Sequence, residues 1–151
     1  MSEIDEQSLE AGSFIPLRVV EVEMRLPSQN PVLVLEEIDW PKRVLQIPIG
    51  LAEGVAIAYG LRGQATPRPL THALFAQVLE ALGATLEVVR ITDSIGDAYA
   101  GEIVLSGPYG LKVLKCRPSD AIALALRCPV PVPITVAAAV LDQKDGGASS
   151  G

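Results

Sequence analysis

Two short polar clusters interrupt otherwise apolar stretches of this chain: Arg68-Pro69-Leu70-Thr71-His72 and Arg117-Pro118-Ser119-Asp120. Each puts an arginine and a hydroxyl at the entrance of an apolar helix. A helix N-terminus gathers free N–H groups and partial positive charge, and an adjacent guanidinium adds forked donors, so the combination suits an anion. The same residues have a plainer use. Thr71 and Ser119 are ordinary helix caps, and Asp120 an ordinary first-turn acid, whose oxygens accept N–H groups that the helix leaves unpaired. From the residues alone both readings stand. His72 is the chain's sole histidine, so a multi-histidine metal site within one subunit is excluded. No GxxxxGK[ST], GxGxxG, GxSxG, HExxH or paired CxxC spacing is present, which removes the commonest nucleotide, hydrolase and zinc signatures.

The elements that must position these clusters follow from periodicity. Val20, Val22 and Met24 alternate with Glu21, Glu23 and Arg25, the period of a half-buried strand. Val32 to Ile38 and Val44 to Ile49 read as two more strands, joined by turns at Pro27–Pro31 and Trp40–Lys42. Short turns between consecutive strands predict an antiparallel meander. From Leu51 to Arg62 apolar residues cover almost every side, and Glu53 suits the positive end of that helix. A helix apolar nearly all round is buried on more than one side, in the core or against another subunit, which predicts a homo-oligomer. Thr71 is placed to cap a second helix with an apolar stripe of Leu74, Phe75, Val78, Leu79 and Leu82, ended by Gly83. Strands follow over 85–92, 99–106 and 111–116, then a short apolar helix entered at Pro118. Pro129, Pro131 and Pro133 force an extended segment, and Val136 to Leu141 reads as a last helical turn. Runs of strands and helices, rather than strict alternation, predict an α+β domain with a mixed, largely antiparallel sheet and three to four helices.

The domain is expected over residues 15–142, between a disordered acidic arm (1–14) and a disordered Gly/Ser tail (143–151). A chain of 151 residues is long enough for one core that buries about two-thirds of its unfolded surface. Aromatics make up only 4%, so Val, Leu, Ile and Ala must fill that core. No apolar run reaches the roughly 20 residues of a membrane span. The arm carries four acids and no base, the opposite of a secretory signal, so a cytoplasmic location is expected. Cys116 and Cys128, 12 apart, read as reduced packing residues, with a disulfide between them as the alternative. Net charge is −6, from 12 bases and 18 acids. Six of those acids (Glu3, Asp5, Glu6, Glu10, Asp142 and Asp145) lie near the ends; without them and Lys144, 12 acids face 11 bases. So balanced a body neither supports nor forbids a nucleic-acid partner.

The eleven residues from Arg117 to Arg127 resemble the signature of the bifunctional-nuclease family. Three further segments agree in order and spacing: Ile47-Pro48-Ile49-Gly50 with Glu53 and Ala56-Ile57, Arg68 to His72, and Leu79 to Ala84. The similarity covers about residues 17–142. It implies hydrolysis of phosphodiester bonds in RNA and DNA. Within that resemblance His72, Glu53 and Asp120 are the candidate catalytic residues, with Glu102 as a further acid. Arg68, Arg117, Ser119 and Thr71 are the candidates for holding substrate. The sequence departs from the family's usual pattern twice, with Ala73 and Lys115 at positions commonly acidic. A divalent metal is therefore expected to bind weakly, because hard cations need several oxygen ligands. The alternative is a non-catalytic, oligomeric binding or regulatory module that uses the same arginines as an anion site.

Overall fold

The computed structural model describes residues 13–66 and 70–149, with side chains through Lys144. Three antiparallel strands open the fold: β1 (Phe14–Met24), β2 (Pro31–Glu37) and β3 (Val44–Pro48). Helices α1 (Leu51–Leu61) and α2 (Thr71–Ala81) follow. A second antiparallel meander comprises β4 (Thr85–Ile95), β5 (Ala98–Ser106) and β6 (Lys112–Cys116). Helix α3 (Pro118–Ala125), strand β7 (Ile134–Ala137) and helix α4 (Ala138–Ser149) complete the chain. The result is the expected α+β domain, with one mixed, mostly antiparallel seven-stranded sheet in the order β3-β2-β1-β7-β4-β5-β6.

Strand β7 is the piece that joins the two meanders. It pairs antiparallel with β1 and parallel with β4, so it occupies the middle of the sheet. This corrects the expected helical turn over 136–141: Val136 belongs to the strand, and the helix starts at Ala138. Four residues are too few for a period of two to register, and the β-branched Ile134, Thr135 and Val136 fit a pleat better than a helix. Helix α4 then runs past Leu141 to Ser149, where a tail was expected, and β1 already begins at Phe14. The remainder of the expected arm, residues 1–12, lies outside the described residues.

Leu17, Leu33, Leu35, Leu45, Ile47, Val89, Ile91, Ile103, Ile134 and Val136 project from the sheet into a single core. Helix α3 is its centre: from Ala121 to Ala125 every residue is buried. Helices α1 and α2 both pack on α3. Two glycines let α1 sit close to β2 and to the end of α3. A Cβ on Gly54 would lie 2.6 Å from Pro31 Cγ, and one on Gly60 would lie 2.8 Å from Leu126 Cβ. Gly83, with φ +73°, follows α2 as the left-handed stop its position predicted.

Two local expectations fail. Thr71 is the first residue of α2 rather than its cap; Leu70 occupies the cap, with no side-chain hydrogen bond. Arg117 occupies the cap of α3, again without one, so neither Ser119 nor Asp120 caps that helix, although Asp120 does lie in its first turn as expected. Apart from Leu79, the stripe of α2 also points away from the core. Leu74, Phe75, Val78 and Leu82 are each at least 44% exposed, and the helix rests on Ala76 and Leu79.

Candidate functional site

Four of the predicted site residues meet at the entrance of α3. Helix α1 supplies Glu53 from its first turn, α2 supplies His72 from its second position, and α3 supplies Arg117 at its cap and Asp120 in its first turn. Pro118 fixes the backbone at the start of α3 and is itself buried. Gly101 of β5 makes room for it, since a Cβ there would lie 3.3 Å from Pro118 Cγ. The seating of α3 on the sheet thus determines where Arg117 and Asp120 emerge.

The four side chains form an unbroken polar chain. Arg117 Nη2 lies 2.7 Å from Glu53 Oε1 and 2.8 Å from Asp120 Oδ2. Arg117 Nε donates to Asp120 Oδ2 at 2.9 Å. The other oxygen of Asp120, Oδ1, lies 3.1 Å from His72 Nε2. The Asp120 carboxylate, and after it Glu53, push the already high pKa of Arg117 higher still. Glu53 is nearly covered, at 15% exposure, whereas Arg117 is 63% exposed. The guanidinium therefore forms the solvent-facing side of the cluster. With a neutral imidazole, two carboxylates outweigh one guanidinium by one negative charge.

These residues line an open depression of about 810 Å³, whose other walls are apolar: Leu51, Val55 and Ala56 from α1, and Leu70 beside Thr71 at the start of α2. Thr71 is an exposed lining residue. Ser119 is buried and borders a neighbouring depression together with Asn30, Asp97, Tyr99 and Arg117. Glu102 is turned elsewhere, its Oε1 2.8 Å from Nη2 of the buried Arg90. Arg68 lies outside the described residues. Lys115 stands opposite Glu102 on β6 and is not among the residues that line the cleft. Both cysteines are free, and burial raises the pKa of each. Such thiols are poor nucleophiles.

The sequence reading missed the apolar walls of this cleft. Their only signal was the surplus of apolar residues around α1, which suggests burial without saying beside what. Among the described residues no three His, Cys, Asp or Glu side chains converge to hold a metal ion. Glu53 and Asp120 are turned to the guanidinium between them, so the donor set does not fit a divalent cation. No described helix is long and apolar enough to cross a membrane.

Residues 33–147 match the sequence profile of the bifunctional nuclease domain. An uncharacterized protein of Mycobacterium tuberculosis, strain H37Rv, is 42% identical over 111 residues, covering 74% of this chain and 65% of the relative. Bifunctional nuclease 1 of Oryza sativa subsp. indica is 28% identical over 109 residues, 69% of this chain and 33% of that protein. Bifunctional nuclease 2 of Oryza sativa subsp. japonica is 29% identical over 101 residues, 65% of this chain and 31% of that protein. The chain thus spans just under two-thirds of the mycobacterial relative and about a third of the rice ones.

Proposed function

This chain belongs to the bifunctional nuclease domain family, and from that premise we propose that its cleft hydrolyses phosphodiester bonds in RNA and DNA. The observation that carries the reading is the polar chain Glu53–Arg117–Asp120–His72, whose members come from three helices and open onto one depression. An ionised carboxylate only accepts hydrogen bonds, so the contact with Asp120 keeps the imidazole proton on Nε2. Nδ1 then carries the lone pair that takes a proton from an attacking water and returns it to the leaving ester oxygen. Glu53 and Asp120 hold Arg117 through Nε and Nη2, and Nη1, which has no partner among the described residues, is the donor left for a phosphate oxygen. No step is assigned to a metal, because the donor set does not fit one.

One observation favours a second reading. Two carboxylates already offset the charge of Arg117, which weakens its pull on a polyanion and favours a non-catalytic, oligomeric binding or regulatory module over a nuclease. Nuclease assays on RNA and single- and double-stranded DNA, with and without magnesium, decide between the two. Cleavage by purified protein that is lost in both His72→Ala and Arg117→Ala supports hydrolysis. Anion binding that is lost in Arg117→Ala, with no cleavage by the parent, supports the binding module.

A further inference from the structure

Helices α1 and α2 present large apolar side chains to solvent. Leu51, Val55 and Leu61 of α1 are 58%, 43% and 39% exposed. Leu70, at the cap of α2, is 42% exposed, and along that helix Leu74, Phe75, Val78 and Leu82 reach between 44% and 68%. The two faces are continuous, because Leu51 and Val55 line the same depression as Leu70. Surface of this kind on a single soluble domain marks an interaction site.

We propose that this face is a two-fold interface with a second copy of the chain, and that the Glu53–Arg117–Asp120–His72 cleft lies at its edge. Eight large apolar side chains exposed on two adjoining helices form a contiguous face rather than scattered single residues, the kind of patch from which a stable interface of roughly 800 Å² per partner is built. Chemistry points to a copy of itself. A chain of net charge −6 repels its like except through a face that carries no charge, and along α2 the exposed row at 70, 74, 78 and 82 is entirely apolar. A row at spacing four is a ridge, and identical ridges interdigitate across a two-fold axis. Because Leu51, Val55 and Leu70 are cleft walls as well as interface, the second copy roofs the cleft and withdraws His72 from bulk water. The interface stands whether or not the cleft cleaves phosphodiesters.

Light scattering on the full chain between about 1 and 100 μM brackets a roughly micromolar interface. The expected result is a dimer at the upper end that dissociates on dilution. Val78→Glu/Leu82→Glu places two carboxylates in the interface and should raise the dissociation constant at least about 100-fold, whereas Trp40→Glu, at an exposed hairpin far along the chain, should not. The single histidine supplies a probe that needs no variant: the His72 ring resonances of the parent should move on dilution with the midpoint seen by mass. A monomer at every concentration overturns the proposal. So does a dimer that survives Val78→Glu/Leu82→Glu in folded protein, or one lost only in Trp40→Glu. A dimer whose dissociation leaves the His72 resonances in place overturns the position of the cleft at its edge.

Discussion

His72 and Asp120, 48 positions apart in sequence, meet through Nε2 and Oδ1 at 3.1 Å, while the second oxygen of the same carboxylate accepts from Arg117. One side chain therefore orients both the candidate base and the candidate phosphate anchor. It does so without capping α3, whose N-terminus receives no side-chain hydrogen bond.

Removing Asp120 should consequently harm function far more than folding. The carboxylate is 37% exposed, and ion pairs at such sites contribute little to stability. Asp120→Ala should melt within about 4 °C of the parent. If the cleft hydrolyses phosphodiesters, the rate should fall by about 100-fold or more, the usual scale for a general base that has lost its orientation. Differential scanning calorimetry beside an initial-rate assay checks both. A large fall in Tm with the rate intact would return Asp120 to a structural role.

Arg117 should not tolerate a lysine. Its guanidinium serves two carboxylates at once through Nε and Nη2, and an ammonium cannot reproduce that planar fork. If the cleft hydrolyses phosphodiesters, Arg117→Ala should lower kcat/KM by roughly 100- to 1,000-fold, the scale of a lost charge-stabilising donor, and Arg117→Lys should recover less than a tenth of the loss. Steady-state kinetics decide this. A lysine variant that matches the parent would mean that only net charge matters at this position.

Gly54 ties the fold to the site. Alanine is favoured over glycine in a helix by about 1 kcal/mol, yet here its Cβ would sit 2.6 Å from the Pro31 ring. A proline ring cannot swing away, and overpacking of this kind costs about 1–3 kcal/mol. The steric effect outweighs the propensity, so Gly54→Ala should be destabilised by about 1 kcal/mol. It should also push α1 outward, carrying the neighbouring Glu53 away from Arg117. Urea unfolding reads the first effect and a crystal structure of the variant the second. A stabilised variant would show that β2 yields instead.

How much of this was legible in the sequence depends on range. Alternation over 20–25 and the turns at Pro27–Pro31 and Trp40–Lys42 are local signals, and both meanders could be drawn from such features. Strand β7 could not. It has four residues, its neighbours β1 and β4 lie far away in sequence, and only tertiary pairing makes it a strand. The two polar clusters were visible as interruptions of apolar sequence, but the pairing of His72 with Asp120 had no local signature. Their hydroxyls suit capping, which is what such residues do most often. The stripe of α2 was legible as a pattern while its direction was not, because an apolar face does not say whether the core or another chain covers it.

A last expectation concerns acid. Glu37 is buried at the end of β2 and accepts from Arg43 three times: from the backbone N–H at 2.7 Å, from Nε at 2.9 Å and from Nη2 at 3.3 Å. Arg43 also reaches Asp142 on α4 at 2.7 Å, so this pair helps hold the C-terminal helix to the β2–β3 hairpin. The hydrogen bonds from Arg43 hold the Glu37 carboxyl below its ordinary 4.5, against the opposing effect of burial. A carboxyl whose pKa is lower folded than unfolded binds its proton more readily in the unfolded chain. Its stabilisation is therefore complete above the unfolded value and disappears as pH falls through the folded one. Glu37→Gln lacks this contribution at every pH. The stability gap between parent and Glu37→Gln should be widest near neutrality and narrow steadily from about pH 5 to about pH 3. Denaturant unfolding of both proteins across that range measures it. A gap that stays constant or widens in acid would show that Arg43 does not hold this carboxyl in its ionised form.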